Sequence, residues 1–161
     1  MTAEACDLDA VAEGLWLRLR DVLMAERRLE RFEFSPEAPG GAAYRLATLA
    51  ADPQVRLGLA LDMTLRSLAA LADPTSFRIL GALRSGQAVP LTDVARQAGL
   101  GEVAAAERVH ALAQVGLASR DVERNCAMET AAGRGLVLLA EALAAAVTAR
   151  LERQMPALLA S

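Results

Sequence analysis

Leu8, Val11, Leu15, Leu19, Val22 and Leu23 recur at three- and four-residue steps with charged residues between them. This spacing predicts an amphipathic helix from Leu8 to about Phe32. The next stretch, SPEAPGG at residues 35–41, holds two prolines and two glycines and reads as a loop. A short helix over Ala42–Ala51 follows. Asp52-Pro53 then opens a longer helix to Ala72, with Val55, Leu59, Met63, Leu65, Leu68 and Leu71 on its apolar side. Asp73-Pro74 repeats the signal. An aspartate accepts from the free amides of a helix start, and proline fits the first helical position, where its missing N–H costs nothing.

The rhythm then shortens. A helix from Pro74 to about Arg84 carries Phe77, Ile79, Leu80 and Leu83 and ends at Ser85-Gly86. Ala88–Leu91 reads as a short extended piece. Thr92 is the expected cap of a small helix to Ala98, which Gly99 terminates. Gly101 or Glu102 opens a further helix ending near Val115-Gly116. LASRDV and CAMET flank ERN as a two-stranded hairpin with a polar turn. The last helix, Ala131 to about Gln154, has the stripe Leu136, Leu139, Leu143, Val147 and Leu151. Burial within one chain accounts for part of that stripe. With the first helix, the remainder is a candidate dimer interface.

Composition narrows the class. With 161 residues the chain is one domain, or one domain with a helical extension. Apolar residues make up 54% and aromatics 3%, so the core must be mostly Leu, Ala and Val. All 17 basic residues are arginine, which reads as the codon bias of a GC-rich genome. A net charge of −3 disfavours a protein that coats nucleic acid generally, yet leaves room for a local basic face. The acidic start, MTAEACDLDA, lacks an apolar signal core. The run between Arg134 and Arg150 is broken by Glu141 and Thr148 and reads as too short and polar for a bilayer. A cytoplasmic chain without membrane contact is therefore expected. Cys6 and Cys126 read as free thiols. The alternative is a redox role for either or both, if Arg124 activates Cys126.

Three helices of about ten residues, the second and third joined by a tight glycine turn, and a trailing hairpin describe a winged helix-turn-helix. LADPTSFRILGALRSG (71–86) resembles the opening of the ArsR-like bacterial repressors. LTDVARQAGL (91–100) looks like their second helix and turn, and VHALAQVGLASRD (109–121) like the end of the recognition helix running into the wing. TAAGRGLVLL (130–139) is similar to the segment after the wing in MarR- and PadR-like regulators. The resemblance spans roughly Leu68 to Leu139. It implies a mainly α fold in three parts: a helical extension (1–72) for dimerisation and a candidate effector pocket, a winged helix-turn-helix (73–131), and a C-terminal dimerisation helix (132–161). It also implies a homodimeric transcriptional regulator that binds double-stranded DNA, with no catalytic role and no cofactor.

That resemblance puts Glu102, Ala104, Glu107, Arg108 and His110 on the recognition helix. Arg78, Arg96, Arg120 and Arg124 are the candidates for contact with the DNA backbone. The start of that helix departs from the family. Alanines can touch a thymine methyl but make no hydrogen bond, and Glu102 and Glu107 would be repelled by phosphates unless one accepts from a cytosine amino group. From Pro74 to Thr130, six arginines meet six acids, although phosphate contacts need cations. Pro90 and Thr92 occupy the positions of the family's Cys-x-Cys metal pair, so no soft-metal site is expected there.

A second function class stays open: a winged-helix protein-interaction module that has lost DNA binding, favoured by the Ala104–Ala106 run and the two glutamates. An enzyme finds no support in one histidine and no glycine-rich phosphate loop. Trp16, Phe32, Phe34 and Tyr44 read either as core or as the lining of a small-molecule effector pocket.

Overall fold

Two aspartates fix where central helices begin. Asp52 accepts from the Gln54 amide and Asp73 from the Ser76 amide, each at 2.8 Å, and each is followed by proline. The structure, a computed structural model, describes residues 7–30 and 42–159. In chain order these form α1 (Leu8–Glu30), α2 (Ala42–Ala51), α3 (Pro53–Leu71), α4 (Pro74–Ala82), β1 (Val89–Pro90), α5 (Leu91–Ala98), α6 (Glu102–Gln114), β2 (Ala118–Asp121), β3 (Cys126–Glu129) and α7 (Ala131–Leu159). The fold is mainly helical, with a small antiparallel sheet in the order β1-β3-β2. Phe32, Phe34 and the 35–41 loop lie outside the described residues.

The hairpin register pairs Ala118 with Glu129 and Asp121 with Cys126, and β1 joins the other edge of β3 through Val89 opposite Ala127. This edge pairing changes how α5 starts. The helix begins at Leu91 rather than after Thr92, and its capping position is Pro90, without a side-chain cap. The physical reason is that the Leu91 amide already donates to the Asn125 carbonyl at 3.0 Å. That bond ties Leu91 to the hairpin and starts the helix there, which leaves Thr92 inside the first turn rather than at its cap. Gly99 ends α5 at φ +69°, a left-handed conformation that an L side chain enters only under strain.

One hydrophobic core draws on every described helix except α2, and on the hairpin. Val11 and Leu15 of α1, Leu71 of α3, Ile79 and Leu80 of α4, Val94 of α5, Val109 and Leu112 of α6, and Leu136 and Val137 of α7 are all buried in it. Of the aromatic residues, Phe77 packs partly against this core, whereas Trp16 and Tyr44 do not join it. Trp16 and Tyr44 are both more than half exposed and line separate cavities, not a shared pocket.

Helix α7 is anchored at one end and free at the other. A Cβ at Gly133 would lie 2.1 Å from the Leu117 carbonyl oxygen, and one at Gly135 would lie 2.1 Å from Cγ2 of Val11. From Ala142 to Met155, by contrast, every residue is exposed, including Leu143, Val147, Leu151 and Met155. By length and composition Ala131–Met155 could cross a membrane, so the apolar segment is longer than the sequence run suggested. Core helices of soluble proteins share those properties, and the first turns here are buried against α1 and the hairpin.

Gly133→Ala should lower stability by about 1–3 kcal/mol, because backbone cannot yield to the new methyl. Gly81→Ala should raise it by roughly 0.5–1 kcal/mol, because Gly81 sits in α4 with nothing within 4 Å of its Cβ position. Urea unfolding of both variants checks the contrast.

Candidate nucleic-acid interface

Helix α6 buries Ala105, Val109 and Leu112 in the core, packs Ala106 partly against it and turns most of its other residues outward. Glu102, Val103, Ala104, Glu107, Arg108 and His110 are exposed. Gly101 stands at the capping position without a side-chain oxygen, so Glu102 in the first turn supplies the negative charge that a helix start favours. The expected reading residues therefore do share one solvent-facing side.

The arginines are arranged differently. Arg108 does not stand free: its Nη1 lies 3.6 Å from Oδ2 of Asp73, the capping residue of α4. Donation from the Ser76 amide, helped by the Ser76 side chain and by Arg108, holds the Asp73 carboxyl below its ordinary pKa. Arg96 pairs with Asp93 at 2.7 Å, and Arg124, at the hairpin turn, pairs with Asp121 at 3.7 Å. Arg78 is exposed beside the α5–α6 turn and comes within 3.5 Å of the Thr75 hydroxyl.

Arg120 departs most from the sequence expectation. Its Nη1 donates to the Ala106 carbonyl of α6 at 3.4 Å, and its Nε is buried without a partner. The guanidinium is folded back between β2 and α6, away from the outer face. His110 Nε2 lies 3.0 Å from Gln114 Nε2 one turn along the helix. Cys126 is buried in the sheet, shielded from oxidants in solvent, and Cys6 lies outside the described residues. Among the described residues no three His, Cys, Asp or Glu side chains converge as metal ligands would.

One functional-looking group was missed at the sequence level. Glu129, the last residue of β3, has a fully buried side chain. Arg134 Nε donates to its Oε2 at 3.2 Å, while Oε1 has no partner. Burial pushes this carboxyl's pKa up, against the pull of Arg134 and the nearby Arg84, and Glu141 adds to the rise. The spacing of Glu129 and Arg134 across a helix start was a usable signal. The burial of the acid was not, since alternation in so short a hairpin does not say which side is covered.

Comparison with protein-family models, curated proteins and solved structures gives no match for this chain.

A raised folded-state pKa means that folded Glu129 holds its proton where the unfolded chain has released it. Its contribution to stability is therefore complete below the ordinary value of 4.5 and declines as pH rises from there through the folded-state pKa. Glu129→Gln should remove that decline. Denaturant unfolding of wild type and variant across the acidic-to-neutral range should show wild type losing stability relative to the variant as pH rises.

Proposed function

We propose that this chain is a cytoplasmic, homodimeric regulator of transcription that binds DNA through a winged helix-turn-helix of the ArsR-like kind. In this reading α4, α5 and α6 form the helical unit, α6 enters the major groove, and β2–β3 is the wing. The observation that carries it is the solvent-facing side of α6, opposite the side that gives Ala105, Val109 and Leu112, and part of Ala106, to the core. The paired β2–β3 strands directly beside it support the same reading. The exposed stripe from Leu139 to Met155 on α7, together with Leu57, Leu61 and Leu65 on α3, offers apolar surface for a second copy. A two-fold pair would set the two α6 helices about one DNA turn apart, ~34 Å.

A specific observation favours the second reading, a protein-interaction module. Arg96, Arg108 and Arg124 are already paired with aspartates, and the outer face of α6 presents two glutamates beside Val103 and Ala104. Phosphates would have to draw these cations from their partners. A protein partner could accept the apolar and acidic face as it stands.

Fluorescence titration with DNA from upstream of its own coding sequence separates the two. The regulator binds below micromolar with a steep salt dependence, and the interaction module does not bind even at low salt. Arg108→Ala should weaken operator binding by about 1–3 kcal/mol if it reaches a base edge. Val147→Glu should convert the dimer to monomer in sedimentation without changing the helical circular dichroism.

A further inference from the structure

Arg18 on α1 and Arg120 on β2 line one cleft of about 480 Å³, closed by the C-terminal end of α6 and the first turn of α7. Its size falls in the usual range for small-molecule sites, about 300–1,000 Å³. A guanidinium carries five N–H donors, and here most have no protein acceptor. Arg18 Nε donates to the Gln114 carbonyl at 3.0 Å, Arg120 Nη1 makes one long bond of 3.4 Å, and its Nε is buried and unpartnered. Neither arginine has a carboxylate within ion-pair distance among the described residues. The acid that lines the cleft, Asp21, is paired with Arg20 at 3.1 Å.

Other features of the lining set the kind of occupant. Thr130 and Ala131 bring the start of α7 to the cleft, and the amide end of a long helix favours negative charge. Leu17, Val122, Ala113 and Ala118 add apolar surface, while His110, Gln114 and Ser119 supply hydrogen-bonding groups. Buried donors left unmet are uncommon in folded proteins and call for an acceptor.

We propose that this cleft binds a small organic carboxylate with an aromatic or branched apolar body, its carboxylate held by Arg18 and Arg120. The occupant bridges α1 to β2 and α6, three elements that otherwise meet here through few polar bonds. The inference stands on the cleft alone and does not depend on DNA binding.

The test is calorimetric and NMR titration of the full chain with naphthoate, in parallel with the neutral naphthalenemethanol. Naphthoate should bind saturably and shift amide signals of α1, α6 and β2, with the alcohol at least roughly tenfold weaker. Arg120→Gln and Arg18→Gln should each weaken naphthoate roughly tenfold, the effect of losing a charge-assisted hydrogen bond. Arg120→Lys should retain part of the affinity. Absence of naphthoate binding by wild type, equal binding of the alcohol, or undiminished binding by both Gln variants overturns the proposal. If Arg120→Gln does not fold, Arg18→Gln and the acid–alcohol comparison on wild type decide it.

Discussion

Gly133 touches the Leu117 carbonyl so closely that no side chain fits, and two residues on, Gly135 packs against the Val11 side chain. These contacts bring the start of α7 against both the α6–β2 junction and the first helix. Just before them, Ala132 faces Gly14 at a distance that leaves no room for a methyl on the glycine. At Gly133 the neighbour is backbone, which cannot yield to an added methyl as a side chain can. The exposed surface of α6, the seat of the hairpin and the outward course of α7 all depend on this junction. The Thr130 hydroxyl reinforces it by accepting from the Gly133 amide and donating to the Gly116 carbonyl at 2.7 Å.

Charge is distributed with an economy that shapes what the surface can do. Around α4–α6 and the hairpin, most exposed arginines have a nearby aspartate, and the pairs are solvent-accessible, where such bridges contribute little to stability. Their chief effect is to neutralise the face that a polyanion would approach. The cleft behind α6 is the opposite case. There Arg18 and Arg120 form no ion pair with any carboxylate among the described residues, and apolar side chains share the lining with them. Positive charge available to a ligand is thus greater behind α6 than in front of it.

Element positions were largely legible because they rest on local chemistry. Asp-Pro pairs, a left-handed glycine after Ala98 and three-to-four spacing of leucines each act within one turn of chain. Thr92 misled for the opposite reason: the acceptor for the Leu91 amide comes from Asn125, far along the sequence. The same limit applies to the candidate site. The exposed side of α6 follows from its own periodicity, whereas the partners of Arg108 and Arg120 lie on other elements. Trp16 and Tyr44 could be read either as core or as pocket lining, because the packing of α1, α2 and α3 that leaves both rings exposed at separate cavities is set by contacts between elements.

Asp73 serves two neighbours unequally: the Ser76 amide at 2.8 Å and the Arg108 guanidinium at 3.6 Å. The nearer bond is the one that organises the first turn of α4, and it persists whether or not the cation is present. Arg108 can accordingly be borrowed by an incoming anion without unravelling the helix behind it. What is given up is one exposed ion pair of little energetic weight, while Ile79, Leu80, Val109 and Leu112, buried in one core, keep the two helices together.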